Sequence, residues 1–383
     1  MHYFDNAATT FPKPENVYRY MDYFYRNYGV NVGRGQFKEA SIAFAMVKET
    51  RELLLKLFHV SYPYEVVFTP SATEAFNLIT NSFHFKKDDI IYISPFEHNA
   101  VLRTLHAKQK EQGFKLFELP VNKKALSIDL DKVSEMFKMD PPNYCFITHA
   151  SNSFGYVLPV KDICNIAKGY ASVNVVDMAQ TAGLIDVNLS TESIDYIIFA
   201  GHKTLYGPLG VGGIISNRVK ELQPLIYGGT GYDSKNMEMP EETPLKLEAG
   251  SLNIQAIAGL NAALKWLFEI GVANIRSKER EITKKLLYVL GKHRNIEVVR
   301  LGNDDENIGV VSCIFSGYSS DNIGQVLSEN DIAVRTGLHC APKGHDVLKT
   351  SPNGTVRFSI SYFTTDEDIS ALDGVLDYIE MEG

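Results

Sequence analysis

The alternation of short apolar segments with amphipathic ones between residues 64 and 200 constrains the fold of this chain most strongly. The strand-like segments are rich in β-branched and aromatic residues: "YEVVFT", "DIIYISP", "YCFITHAS", "VNVVDMA" and "DYIIFAG". Helical segments such as "SATEAFNLITNSF" and "HNAVLRTLHAKQKEQG" lie between them. This order predicts βαβ crossovers, and therefore an α/β fold with a mostly parallel sheet covered by helices.

The pattern changes after residue 255. The long helical segment "NIQAIAGLNAALKWLFEIG" leads into the strand-like "IGVVSCIFSG", "IAVRTG" and "GTVRFSISYF", with helical segments between them. We therefore expect a large domain over residues 17–255 and a smaller α+β domain over residues 256–383. Residues 1–16 are expected to form an N-terminal segment near the functional site. The polar stretch "GTGYDSKNMEMPEETP" predicts an exposed loop.

Charge and composition argue against several classes of protein. The 383 residues include 38 Lys and Arg against 46 Asp and Glu, a net charge of −8 with no long basic run, which disfavours a nucleic-acid-binding protein. No apolar stretch reaches the roughly 20 residues of a membrane span, and the N-terminus lacks the pattern of a secretory signal. The four cysteines include no CxxC pair. This predicts free thiols in a reducing cytoplasm rather than a disulfide framework.

Polar residues follow the predicted strands at their carboxyl ends, where open α/β sheets place their ligands. In "TPSATEAFN", residues Ser71, Ala72 and Thr73 open a helix. The free N–H groups of such a helix start bind phosphate, although a simple helix cap has the same pattern. His98, in "PFEHNA", could stack on a planar ring or cap the next helix.

Acidic and basic residues complete this set. Asn152 lies in "HASNSFG", and Asp177 ends an apolar strand three residues before Gln180. A buried acid is costly unless it meets a cation, so a Mg²⁺ site and an ion pair are alternatives for Asp177. Lys203, in "FAGHKTLYGP", is either a surface lysine or a Schiff-base lysine. Together these residues describe a pocket for pyridoxal phosphate, in which the carboxylate keeps the ring nitrogen protonated.

The sequence closely resembles the cysteine desulfurase-like branch of the class V aminotransferases, which are pyridoxal-phosphate enzymes. The resemblance runs through "YFDNAATT", "SATEAFN", "EHNA", "HASN", "DMAQTAG", "AGHKTLYGPLGVG", "EAGSLN", "RTGLHCAP" and "VRFSISYF". It implies the transferase fold of type I, with a mostly parallel seven-stranded sheet in the large domain. It also implies a homodimer that acts on an amino acid, with L-cysteine as the expected substrate and a sulfur-acceptor protein as a possible partner.

The resemblance assigns roles to the strand-end residues. Lys203 would carry the Schiff base, His98 would stack on the ring, Asp177 would pair with the pyridine nitrogen and Gln180 would contact the phenolic oxygen. Asn152 would lie at the rim of the ring. Five residues would hold the phosphate: Ser71, Ala72, Thr73, His202 and Ser251. Ser251 would come from a second subunit.

The segment "VRTGLHCAPKGHDVL" distinguishes among the reactions of such enzymes. Positive charge close to Cys340 favours the nucleophilic thiolate. One alternative is that Cys340 is a small buried residue with a packing role. The other is a metal site formed with His339 and His345, but such a site lacks a fourth ligand. The resemblance implies that Cys340 takes sulfur from the substrate as a persulfide.

The predicted substrate site consists of Asn152 and three arginines. Arg357 matches the family arginine that binds the substrate carboxylate, because a guanidinium supplies two parallel donors. We also predict substrate contacts for Arg335, in the cysteine loop, and for Arg34, in a segment that the family places at the dimer interface.

Three positions depart from relatives with a similar cysteine loop. Ala200 replaces a serine and can remove one phosphate hydrogen bond, while Leu338 and Gly33 replace residues that offer proton-transfer or substrate contacts. Other reactions on the same scaffold are therefore alternatives: selenocysteine lyase, cysteine sulfinate desulfinase, or an aminotransferase or epimerase that releases no sulfur. A cofactor-bearing scaffold that binds sulfur-carrier proteins without turnover is the alternative that is not an enzyme.

Overall fold

The structure, a computed structural model, describes residues 1–32, 35, 37–122, 127–231 and 235–382. Its strands are β1 (His2–Tyr3), β2 (Glu65–Thr69), β3 (Ile90–Ile93), β4 (Lys115–Glu118), β5 (Val121–Asn122), β6 (Ser127–Ile128), β7 (Tyr144–Thr148), β8 (Val173–Asp177), β9 (Tyr196–Ala200), β10 (Gly212–Ser216), β11 (Ile296–Val299), β12 (Val310–Phe315), β13 (Ile332–Ala333), β14 (Arg335–Gly337) and β15 (Thr355–Ser359).

Helices lie between most of these strands, as the alternating pattern predicts. They are α1 (Glu15–Tyr28), α2 (Lys38–Leu57), α3 (Ala72–Ser82), α4 (Asn99–Gln112), α5 (Leu130–Met139), α6 (Val160–Lys168), α7 (Ile254–Ile270), α8 (Val272–Lys292), α9 (Ser320–Glu329), α10 (Pro342–Val347) and α11 (Asp366–Glu382).

The large sheet confirms the predicted mostly parallel α/β architecture. Within the described part of the chain it has seven strands in the order β2-β10-β9-β8-β7-β3-β4. The strands from β9 to β4 run parallel, whereas β10 is antiparallel to both β2 and β9. Because β10 reverses between two strands of the same direction, β2 ends at the same edge of the sheet as β9, β8, β7 and β3.

The sheet is buried on both faces, which explains why its strands read as nearly continuous apolar runs. All the residues of β3, β9 and β10 are buried. On one face the core includes α7, which packs against α1 and α2, and on the other α3 packs against α4. Burial of this apolar surface from water is the main force that holds the helices on the sheet.

A second sheet is antiparallel and confirms the predicted smaller α+β part. Its order is β11-β12-β15-β14, and α8, α9 and α11 pack around it. The N-terminal strand β1 pairs with β13, so the start of the chain is attached to this part of the molecule. The proposed divisions at residues 16 and 255 stay predictions.

No single helix in the described ranges is long and apolar enough to cross a membrane. The bent pair α7 and α8, which meet at 82°, reaches the required length and composition only when the two are taken together. Most of α7 is buried in the core, which accounts for its apolar composition.

Candidate active site

A cavity of about 240 Å³ lies at the edge where the strands of the large sheet end. Most of the residues predicted from the strand-end motifs line it: Ser71, Ala72, Thr73, His98, Asn152, Asp177, Gln180, His202 and Lys203. A second wall comes from the smaller sheet and its loops: Arg335, His339, Cys340 and Arg357. Segments from both parts of the chain therefore enclose one chemical site.

The start of α3 forms one end of this cavity. The Ser71 hydroxyl accepts a hydrogen bond of 3.2 Å from the Glu74 amide, so Ser71 caps the helix. The amides of Ala72 and Thr73 lie in the first turn, where an α-helix offers them no intrahelical partner. Gly212 allows β10 to pass closely, because a Cβ there would lie 3.0 Å from the Ala72 nitrogen. The helix start is therefore both capped and able to bind an anion.

Lys203 and Asp177 provide opposite charges in a poorly solvated place. Burial lowers the pKa of Lys203 to about 8, although the nearby Asp177 carboxylate opposes the shift. Burial raises the pKa of Asp177, while the Ala179 amide, at 2.9 Å, and the charge of Lys203 oppose this shift. A lysine with this pKa can lose its proton near neutral pH, as a Schiff-base or proton-transfer lysine must.

Two histidines of the large sheet are held in the neutral form. His98 Nδ1 accepts a hydrogen bond of 3.0 Å from the Ala100 amide, so this residue caps α4 as well as lining the cavity. Burial lowers the pKa of His98 to about 4 and that of His202 to about 3. His202 Nδ1 is buried without a hydrogen-bond partner among the described residues. His202 Nδ1 is therefore available to a ligand.

Arg357 connects the smaller sheet to the large one. Its side chain is 1% exposed, and it donates hydrogen bonds of 2.9 Å to the Asn152 carbonyl and 2.5 Å to Asp5 Oδ1. Asn152 Nδ2 in turn donates to the His339 carbonyl at 2.7 Å. Each terminal nitrogen of Arg357 carries a second N–H, so the guanidinium keeps donors for a ligand carboxylate.

Cys340 lies on the loop after β14 and is half-buried. Its sulfur is 4.0 Å from a terminal nitrogen of Arg335, and its carbonyl accepts a hydrogen bond of 2.7 Å from the Asn99 amide. Both His339 and Cys340 have left-handed backbone conformations, with φ of 47° and 59°. Such conformations are costly for residues with side chains and recur at functional sites.

The two alternatives weighed for Cys340 are less consistent with its surroundings. Ring nitrogens of His339 and His345 are engaged by the hydroxyls of Thr355 and Thr350, and these histidines do not form a metal-spaced cluster with Cys340. The other cysteines are each 0% exposed, with thiol pKa values raised by burial: Cys145, Cys164 and Cys313. Cys340 alone among the four thiols faces the cavity.

Comparison with known proteins establishes the family of this chain. A sequence model of the family "Aminotransferase class-V" matches residues 2–372. The chain belongs to the class V aminotransferases. This family implies pyridoxal phosphate as the cofactor.

Individual relatives lie in the cysteine desulfurase-like branch of the class V aminotransferases. A probable cysteine desulfurase of Pyrococcus abyssi is 32% identical over 98% of this chain and 93% of its own length. A second probable cysteine desulfurase, from Methanothermobacter thermautotrophicus, is 30% identical over 99% of this chain and 94% of its own length. The structure of a cysteine desulfurase from Thermococcus onnurineus NA1 is similar with a TM-score of 0.91 at 28% identity, covering 100% of this chain and 95% of that one. CsdA, a cysteine desulfurase of Escherichia coli, has a TM-score of 0.86 at 27% identity, over 99% and 94%.

The cavity of this class V aminotransferase fits pyridoxal phosphate on its own geometry. The helix start at Ala72 and the unpartnered His202 nitrogen suit a phosphate, and Asp177 suits a protonated ring nitrogen. Lys203 is a buried amine for the aldehyde. Ala200 also lines the cavity, and it offers no hydroxyl to the phosphate where relatives have a serine.

Two predicted residues are not brought into the cavity by this single chain. Ser251 is exposed, and its hydroxyl accepts a hydrogen bond of 3.1 Å from Asn31. Its predicted role depends on a second subunit and stays a prediction. Arg34 and the neighbouring Gly33 lie outside the described residues.

Sequence reasoning missed several residues that shape this site. Asp5 pairs with Arg357, and Lys13 Nζ donates a hydrogen bond of 2.6 Å to the His202 carbonyl. Burial lowers the pKa of Lys13 to about 7 and raises that of Glu97, which is 0% exposed, to about 8. Glu97 stands beside His98 after a strand, which was an available signal. Asp5 and Lys13 are distant in sequence from their partners, and no local pattern links them.

Proposed function

We propose that this chain is a pyridoxal-phosphate-dependent cysteine desulfurase. It converts L-cysteine to L-alanine and takes the sulfur on Cys340 as a persulfide. One observation carries the proposal: Cys340 lines the same cavity as Lys203 and Asp177. A thiol there can reach the side chain of an amino acid whose α carbon lies near Lys203.

The cofactor would be held by the residues at the strand ends. The α3 amides, Thr73 and His202 would bind its phosphate, Asp177 would pair with its ring nitrogen, and His98 would lie against its ring. Gln180 would contact the phenolic oxygen and Asn152 would lie at the rim of the ring. When bound, pyridoxal phosphate draws electrons away from the α carbon of an attached amino acid.

The chain's own residues then bind the substrate and move its proton. Arg357 binds the substrate carboxylate with its remaining N–H groups, and Arg335 contributes positive charge beside the thiol. Lys203, with its pKa lowered to about 8, takes the α proton as a general base. The low pKa matters because a general base must be unprotonated at the working pH.

Sulfur transfer needs one nucleophile and no external oxidant. The Cys340 thiolate attacks the substrate sulfur, so that an S–S bond forms as the Cβ–S bond breaks. The electron pair of the broken bond is left on the substrate carbon, which is protonated to give alanine. The products are alanine and a Cys340 persulfide, and the atoms and electrons of cysteine and thiol are all accounted for.

The complete site is proposed to include a second copy of the chain. Ser251 is exposed and outside the cavity of its own chain, as a residue that reaches a neighbouring subunit must be. Arg34 is proposed to act in the same way. Sedimentation of the purified protein should give a dimer, and a fully active monomer would refute this arrangement. The persulfide is proposed to pass to a sulfur-acceptor protein.

Alanine release from L-cysteine is the test of the proposed function. Cys340→Ala should lose most of this activity while it retains bound cofactor, and Cys313→Ala should keep the activity as a matched control. If Cys340→Ala stays fully active with cysteine, the desulfurase assignment fails. Activity of this variant only towards selenocysteine or cysteine sulfinate would favour those reactions, because such substrates can lose their leaving group without a protein thiol.

A further inference from the structure

A second cluster of ligating side chains lies between the end of α8 and the last turns of α11. His293 follows the last residue of α8, and its side chain is 1% exposed. Asp373, Asp377 and Glu380 lie four and three residues apart on α11, so they share one face of that helix. None of these residues lines the cavity described above.

The hydrogen bonds of His293 determine which of its ring nitrogens is protonated. Nδ1 lies 2.8 Å from Glu380 Oε2. The Arg294 amide donates a hydrogen bond of 3.2 Å to Glu380 Oε1, so the carboxylate acts as an acceptor. Nδ1 must therefore donate, and in the neutral ring Nε2 carries a lone pair.

That lone pair points toward carboxylate oxygens. His293 Nε2 is 3.7 Å from Asp373 Oδ1 and 4.0 Å from Asp377 Oδ1. Both His293 Nε2 and Asp373 Oδ1 are buried without a hydrogen-bond partner among the described residues. Buried acceptors that face one another without a donor are costly, so either a proton on Nε2 or a bound cation must lie between them.

We propose that His293 Nε2, Asp373 Oδ1 and Asp377 Oδ1 bind one divalent metal ion of the zinc class, with water completing its coordination. The three ligand atoms all lie within 4.8 Å of one another. Two ligands of a tetrahedral zinc ion at about 2.1 Å lie roughly 3.4 Å apart, so the two distances from His293 Nε2, 3.7 and 4.0 Å, need to contract by roughly half an ångström.

The ligand types favour zinc over harder cations. An imidazole nitrogen with carboxylate oxygens suits zinc and its neighbours, whereas calcium and magnesium prefer oxygen alone. Glu380 behind the ring supplies the carboxylate that metal-bound histidines commonly contact. A surface patch of carboxylates binds cations weakly. This site differs because it also contains a buried histidine.

The local charge is compatible with a divalent ion. Three carboxylates face the site, whereas one ammonium, Lys292 Nζ, lies 2.6 Å from Asp373 Oδ2 and leaves Oδ1 unpartnered. Arg294 is the other nearby cation, and its contact with Glu380 is through the backbone amide. The carboxyl end of α8 adds partial negative charge. The bound ion would join α8 to α11 at the back of the smaller sheet.

Zinc titration of the cofactor-loaded protein, after treatment with a chelator, tests this site by calorimetry. The wild-type chain and Cys340→Ala should each bind one zinc ion per chain, because the active-site thiol is not a ligand. Asp377→Asn should weaken binding at least about tenfold, and Glu380→Gln about 10- to 100-fold. Asp377 is exposed, so the substitution should leave the fold intact.

Glu367→Gln is the matched control, because Glu367 is an exposed carboxylate on the same helix outside the cluster. It should bind zinc as the wild type does. Zinc should raise the Tm of the wild type and of Glu367→Gln, and at the same concentration it should raise that of Asp377→Asn less. Cobalt should give visible bands without the near-ultraviolet absorption of a thiolate ligand. The proposal is overturned if the wild type binds no zinc, or if Asp377→Asn and Glu367→Gln bind it equally.

Discussion

The two walls of the cavity are built differently. The wall from the large sheet consists of residues that directly follow strands, such as Asp177 and Lys203, and each is positioned by the strand before it. The wall from the smaller sheet depends on contacts between distant segments, such as Arg357 with Asp5, and on a left-handed backbone at Cys340. The first wall suits a cofactor that is common to many reactions, and the second suits the selection of one reaction.

Loss of Lys203 should have the largest effect, because this residue serves both binding and proton transfer. Lys203→Ala should lower alanine release from L-cysteine by at least about 10⁴-fold. Lys138→Ala, which changes an exposed lysine on α5, is the matched control and should keep full activity. Near-normal alanine release by Lys203→Ala would remove this residue from its assigned role.

Acid should destabilise both walls, because neutral histidines lie in or behind each of them. Burial lowers the pKa of these histidines to about 4 or below: His98, His149, His202, His339 and His345. Unfolded histidine has a pKa near 6.5, so the unfolded chain binds more protons as the pH falls below this value. Stability should therefore be lost between about pH 6.5 and pH 4.

Two buried carboxyls act in the opposite direction. Burial raises the pKa of Glu97 to about 8 and that of Glu279 to about 7, so their contribution grows as the pH falls toward 4.5. The histidines outnumber them, and the free energy of unfolding should fall by roughly 3 kcal/mol between pH 6 and pH 5. Urea unfolding at the two pH values measures this change. Greater stability at pH 5 would contradict the neutral state of these histidines.

The Asp5–Arg357 contact tests whether the second wall positions the substrate. Asp5→Asn removes the charge that orients the guanidinium, so KM for L-cysteine should rise about 10- to 100-fold with a smaller change in kcat. Asp5→Glu should restore part of the loss, and Asp22→Asn, on exposed α1, should have no effect. An unchanged KM in Asp5→Asn would show that Arg357 is positioned without Asp5.

Replacement of a buried cysteine should have the smallest effect on the reaction. Cys313 lies within β12 and is 0% exposed, so Cys313→Ser buries a hydroxyl and should lower the free energy of unfolding by about 1–3 kcal/mol. Its kcat should stay at the wild-type value, whereas Cys340→Ser should lose activity and keep stability. Denaturant unfolding and alanine release, measured on both variants, separate the two roles. A folded but inactive Cys313→Ser would contradict the purely structural role of Cys313.

The same contrast explains how far the sequence predicts the structure. The β-branched segments predicted five strands of the large sheet, but not β4 or β10. The polar residues that follow those five strands identified most of the first wall. The reversal of β10 was not predicted, because the residue types in its short run "GGIIS" carry no information on the direction of a strand. The partners of Arg357 and Lys13 depend on pairing over hundreds of residues, on which a local pattern carries no information. Ser251 shows a different limit, since its predicted role needs a second chain.

The most direct test of the account is to locate the sulfur after one turnover. Cofactor-loaded protein would be mixed with less than one equivalent of isotopically labelled L-cysteine, trapped with an alkylating reagent and digested, and its peptides weighed. The account predicts the added labelled sulfur on the peptide that contains Cys340, together with one alanine per sulfur. Label on Cys145, Cys164 or Cys313, or alanine released with no sulfur on any cysteine, would contradict it.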